Sequence, residues 1–120
     1  MTAVGMVLAG ALGAWARYEL AGWIQARAGT ALTLGTAVVN LTGTVVFAAL
    51  VAAQHAGVLS SGWVTVLGTG FAGAFTTFST WMVESVHVAG GRVGLRVAAV
   101  NLGGQLLAGS AVAGVILALA

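Results

Sequence analysis

Long apolar stretches dominate the chain, and polar residues gather at three places between them. These are Gln25-Ala26-Arg27, then Gln54-His55 through Ser60-Ser61-Gly62, then Ala89-Gly90-Gly91-Arg92. They leave four segments, at about 2–23, 31–53, 62–87 and 93–119. Each supplies the roughly 20 apolar residues that a helix needs to cross a bilayer core of about 30 Å. None alternates polar and apolar positions as barrel strands do. Helices then remain as the way to satisfy the backbone in lipid. The connections are short, so neighbouring helices run antiparallel. The pattern predicts an all-α membrane protein with four transmembrane helices in a single domain, residues 1–120. The first stretch lacks a basic flank and leads straight into the body, so it is expected to be a span and not a cleaved signal.

Composition sharpens this. Charged residues are 5% of the chain, against about 25% in an ordinary soluble domain. Hydrophobic residues are 60%, and the mean hydropathy is +1.09. A soluble domain of this size cannot cover its surface so sparsely, which excludes soluble enzymes and nucleic-acid binders. The isoelectric point near 10.7 comes from a few arginines and carries no message about nucleic acid. The chain has no Cys, which removes disulfides and thiol chemistry. Arg27, Arg92 and Arg96 fall on the face that holds the first and third loops, and the positive-inside rule places that face in the cytoplasm.

The third segment is unlike the others. Gly68, Gly70 and Gly73 are followed by Thr76, Thr77, Ser79 and Thr80 in mid-span. Lipid offers such a stretch no hydrogen bonds, so it must be buried in protein or face water. A broken helix with free carbonyls is expected there, an element that holds ions in transport proteins. Most other glycines read as packing devices: Gly5, Ala9 and Gly13 at four-residue spacing, and Gly35 with Gly43 on one face.

Polar residues inside the spans admit two readings. Asn40 is mid-span, Asn101 and Gln105 share a helix face, and Ser110 lies beyond. They are either interhelical glue or, with the Thr/Ser cluster, a neutral track of donors for a small anion that must bind and leave again. Phe78 and Trp81 flank Ser79 and Thr80 on one side of their helix. They are either core packing or ring edges, which carry positive potential, facing a pathway. Arg17 can snorkel near the end of the first span. Glu84 is a solvated end charge or a gatepost. No enzyme is expected: there is no Ser–His–acid set and no metal-ligand spacing. Gly68-Thr-Gly-Phe-Ala-Gly73 has dinucleotide-loop spacing but lies in an uncharged apolar run, and Asn40-Leu41-Thr42 lies mid-span where no glycosyltransferase reaches.

Several segments resemble one family. Gly10-Ala-Leu-Gly-Ala-Trp-Ala-Arg17-Tyr18, Gly35-Thr-Ala-Val-Val-Asn40-Leu-Thr-Gly43, and Gly70-Phe-Ala-Gly-Ala-Phe-Thr-Thr-Phe-Ser-Thr-Trp-Met-Val-Glu84 resemble the Fluc (CrcB) fluoride channels, as does Asn101 in the fourth helix. The resemblance implies a passive fluoride-selective channel of the bacterial inner membrane that lowers cytoplasmic fluoride. It implies an antiparallel, dual-topology dimer with two pores and a central structural sodium ion. Gly73 and Thr76 would offer backbone carbonyls to sodium. Asn40, Phe78, Ser79 and Trp81 would line the fluoride path, which the polar track extends to Gln105 and Ser110, with Arg17 and Glu84 in a vestibule. Trp81 stands where the family usually has Phe, and Gln105 where a smaller hydroxyl residue is expected. The partner is a second copy or an oppositely oriented homologue. Two other classes fit less well. A proton-coupled multidrug exporter needs an acid inside a span, and Glu19 and Glu84 lie near span ends. A noncatalytic subunit of a membrane complex gains little from an interrupted helix.

Overall fold

The computed structural model describes residues 2–30, 33–90 and 94–120. Helix α1 covers Thr2–Ala28 and α2 covers Leu34–His55. Helix α3 occupies residues 61–75 in three parts: Ser61–Val64, a π-helical Thr65–Ala72 and Gly73–Phe75. After residues 76–78 the chain resumes as α4, Ser79–Gly90, and ends in α5, Gly94–Ala118. No strand occurs among the described residues. The expected span starts at residues 31 and 93, and Arg92 with its bearing on orientation, lie outside the described residues.

Helices α1 and α2 stop where a glycine takes positive φ, at Gly29 (58°) and Gly57 (73°). Only glycine adopts that conformation without cost, which suits a helix C-terminus. The elements form four antiparallel rods, the third made of α3 and α4, within 50 × 31 × 21 Å. Helices α2 and α5 are apolar along their length, with mean hydropathy 1.9 and 1.6. Only 6% of the α5 window is buried, so α5 is not the inner helix of a soluble domain. The other two rods are less uniform: α1 carries Arg17, Glu19 and Arg27, and the third is interrupted. The outer surface is apolar, with Val7, Leu95 and Leu107 all exposed, as a lipid-facing exterior requires.

Small residues set the packing distances. α1 lies along the π-helical part of α3, while α5 packs on α2 and α4. A Cβ at Gly13 would collide with the Phe71 carbonyl, and one at Gly35 with the Ala21 carbonyl. Gly70 meets the Met6 backbone in the same way. These are backbone-to-backbone approaches, the means by which helices associate where no hydrophobic force drives them together.

The interruption is where hydroxyl residues concentrate, and not among the glycines. Gly68 and Gly70 lie inside the widened π-helical stretch, whose glycines are occupied in packing against α1 and Phe47. The helix opens at Thr76, whose backbone is extended (φ −80°, ψ 160°).

Gly13→Ala is expected to destabilise the protein by about 1–3 kcal/mol, because a carbonyl cannot yield as a flexible side chain does. Gly22→Ala, with nothing within 4 Å of its Cβ, should raise stability or leave it unchanged. Thermal unfolding of both variants in detergent checks the contrast.

Candidate functional site: the break in the third rod

The break is held from across the bundle by Asn40. Its Oδ1 accepts from the Thr77 N–H at 2.8 Å, and its Nδ2 donates to the Thr77 carbonyl at 3.0 Å. One side-chain amide thus gives Thr77 both hydrogen bonds that a neighbouring peptide would give. Gly43 on the same helix leaves no room for a Cβ beside the Thr76 methyl, so α2 lies directly against the break.

This pairing has a consequence for α3. In a continuous helix the Thr77 N–H would bond the Gly73 carbonyl, and the Thr80 N–H would bond the Thr76 carbonyl. Here Thr77 turns to Asn40, and the Thr80 N–H is taken by the Thr77 hydroxyl at 3.3 Å. Thr77 thereby caps α4 in the manner of an N-terminal hydroxyl residue. The Gly73 and Thr76 carbonyls are released from helical pairing. Gly73 keeps a long contact from the Thr76 hydroxyl at 3.5 Å, and that hydroxyl also donates to Ala72 at 3.0 Å.

A second set of polar side chains joins α2, α4 and α5. Gln105 Nε2 donates to Asn101 Oδ1 at 2.8 Å, and Gln105 Oε1 accepts from Asn40 Nδ2 at 3.3 Å. Asn101 Oδ1 also accepts from the Thr33 hydroxyl at 2.7 Å. Its Nδ2 donates to Ser85 Oγ at 2.8 Å, and Ser85 donates to the Trp81 carbonyl at 2.7 Å. The Trp81 indole N–H donates to the Asn101 carbonyl at 3.3 Å. Thr33 and Ser85 belong to this network although neither was singled out by sequence. Ser85 was visible in principle, one turn beyond Trp81 in an apolar helix.

Phe78 and Trp81 meet edge to face, with centroids 5.8 Å apart and planes at 82°. Trp81 is 8% exposed and Phe78 is 68% exposed. The indole N–H that Trp81 adds is therefore committed to α5, while the Phe78 ring stands free on the surface of a single chain.

Two cavities meet at Thr77 of the break. One, of about 450 Å³, is lined by Asn40, Thr77, Phe78, Trp81, Gln105 and Ser110, among others, and no charged residue among the described ones borders it. The other, of about 480 Å³, is lined by Arg17, Gln25, Thr36, Thr77, Thr80 and Glu84, among others. Thr77 borders both. Arg17 Nε and Glu84 Oε2 are buried without a hydrogen-bond partner. Ser79 is exposed and lines neither cavity. Among the described residues no cluster of three His or acidic side chains offers a metal site.

A family model described as CrcB-like protein, Camphor Resistance (CrcB), matches residues 4–119. The chain belongs to the CrcB-like family. Its relatives include a protein of Cutibacterium acnes named fluoride-specific ion channel FluC 2, 43% identical over 111 residues, covering 91% of this chain and 89% of the relative. A second, from Mycolicibacterium paratuberculosis and of the same name, is 39% identical over 110 residues, covering 92% and 86%. A third, from Acidobacterium capsulatum and named fluoride-specific ion channel FluC, is 41% identical over 85 residues, covering 70% and 68%. The match of the CrcB-like model runs through all five helices, so the break and both cavities lie within the family's shared region.

Removing the Asn40 amide tests the site's main support. Asn40→Ala leaves the Thr77 N–H and carbonyl unpaired and should cost about 1–3 kcal/mol for each. Ser110→Ala, at an exposed position, should stay within about 0.5 kcal/mol. Unfolding midpoints of the two variants in detergent give the comparison.

Proposed function

We propose that this CrcB-like protein is a fluoride-selective channel through which fluoride leaves the cytoplasm passively. One observation carries the reading: two cavities share Thr77 at the break of a helix, and one of them is lined, among the described residues, by amides, hydroxyls and aromatic rings with no fixed charge. A small anion stripped of water needs donors. Hydroxyls supply O–H groups, and ring edges carry positive potential. Without a cation beside it, the ion binds weakly enough to move on. The names of the relatives support fluoride as that ion.

In this reading Arg17 in the vestibule draws anions toward the break, with Glu84 at the rim. Phe78 and Trp81 supply ring edges, and Asn40, Gln105 and Ser110 shape the polar wall. Ser79 joins the path where the exposed start of α4 faces the partner. The exposure of Phe78 supports assembly with a second chain, as an antiparallel homodimer or with an oppositely oriented homologue. The chain would then reside in a bacterial inner membrane with four spans and two pores per dimer.

A structural sodium ion fits the residues present. The Gly73 and Thr76 carbonyls are freed from helical pairing, and neutral oxygens suit a hard cation. Two oxygens per chain are too few alone, and an antiparallel partner would double them. When bound, sodium would supply positive charge that ties the two breaks together. Gly73 and Thr76 contribute only their main-chain oxygens, so side-chain changes there act through backbone geometry.

Purified protein in liposomes should release fluoride and retain chloride. Phe78→Ile should slow fluoride release roughly tenfold or more, the effect of raising the barrier by about 1.4 kcal/mol. A fluoride electrode in the external solution records both. Unchanged efflux in Phe78→Ile would remove that ring from the pathway.

Arg17→Gln should slow efflux most at low ionic strength and less at high salt, since screening shortens the reach of a vestibule charge. Efflux measured across a salt series checks this.

A further inference from the structure

Thr77 borders both cavities and is held by Asn40, so in the channel reading an ion crossing between them passes this pair. The pair works in one orientation of the Asn40 amide. The flipped amide would set Nδ2 against the Thr77 N–H and Oδ1 against the Thr77 carbonyl, replacing two bonds by two repulsions. Asn40 has one further N–H, and it donates to Gln105 Oε1 at 3.3 Å. Both amide hydrogens of Asn40 are therefore committed, one to Thr77 and one to Gln105. Gln105 is fixed from its other end, since Nε2 donates to Asn101 Oδ1 at 2.8 Å. Asn101 is 5% exposed and is itself held by Thr33, Ser85 and Trp81.

We infer that Gln105 is a positioning residue: it holds the Asn40 amide over Thr77 and so fixes the constriction between the two cavities. The inference rests on the channel reading for its effect on flux. Length and chemistry both matter. A short hydroxyl side chain on α5 does not span from Asn40 to Asn101. A carboxylate still accepts from Asn40 but has no hydrogen to give Asn101 Oδ1, so it meets that oxygen with repulsion. Gln105 thus serves by orienting Asn40, and the Asn101 end of its side chain ties the constriction to the helix that anchors the Trp81 ring.

The test uses the full-length protein with Gln105→Met, Gln105→Glu, Asn40→Ala and the Asn40→Ala/Gln105→Met pair. Two quantities are measured: fluoride efflux from liposomes, and amide hydrogen exchange at Thr77. Gln105→Met keeps the length and removes both bonds. It should slow efflux roughly tenfold and speed Thr77 exchange by a similar factor, as loss of about 1.4 kcal/mol implies. Gln105→Glu should behave likewise. Because Gln105 acts through Asn40, the double variant should conduct no more slowly than Asn40→Ala alone; independent effects would multiply. Wild-type Thr77 exchange in Gln105→Met, or multiplied losses in the double variant, would overturn the proposal. If the unmodified protein passes no fluoride, the channel reading falls, and Thr77 exchange in Gln105→Met still decides whether Gln105 holds the clamp.

Discussion

A side-chain amide standing in for a peptide is the interaction on which this architecture depends. Asn40 satisfies the N–H and the carbonyl of Thr77 together. In water a broken helix costs little, because solvent takes up the loose groups. In hydrocarbon each unpaired backbone group costs several kcal/mol. The break can persist only because its middle residue is paired from α2. From that pairing follow the released Gly73 and Thr76 carbonyls, the Thr77 hydroxyl free to cap α4, and a Phe78 ring projected outward at the start of the second half-helix.

The rest of the bundle keeps Asn40 in reach. Gly43, one turn along α2, lets that helix rest against Thr76. Gly13 and Gly70 let α1 rest against the π-helical stretch of α3. On the opposite side the polar groups of α5 form a buried set that is satisfied internally, from Thr33 through Asn101 to Ser85 and Trp81. Buried networks of this kind are costly when incomplete and rigid when complete. Here the network gives the indole and the Asn40 amide fixed places on either side of one cavity.

Much of this was legible in the sequence. Hydroxyls clustered in an apolar run marked a break in the third rod, and the spacing of Gly5, Gly13, Gly35 and Gly43 marked packing faces. Local spacing also placed Asn101 and Gln105 together, and they do bond one turn apart. What spacing does not carry is a partner on another helix. Asn40 meets Thr77 across 37 positions and Gln105 across 65, so the choice between glue and donor track had to wait for the fold. In the fold the Asn40 amide hydrogens are bonded to Thr77 and Gln105, and the Trp81 indole N–H to Asn101. The glycine cluster was misleading for a related reason. Gly68 and Gly70 signal an unusual backbone, but packing against α1 turned that freedom into a π-helical stretch and not an opening.

Pairing by Asn40 leaves the Gly73 carbonyl of α3 and the Thr76 carbonyl of the break without a helical donor. Infrared spectroscopy with a carbon-13, oxygen-18 label placed singly at the Gly73 or the Thr76 carbonyl reads that directly in the membrane-embedded protein. Both labels should absorb at the higher frequency of a carbonyl without a helical N–H donor, and a label at Val39 inside α2 should absorb in the helical band. Helical absorption from both Gly73 and Thr76 would mean that the third rod is continuous, and would contradict the account.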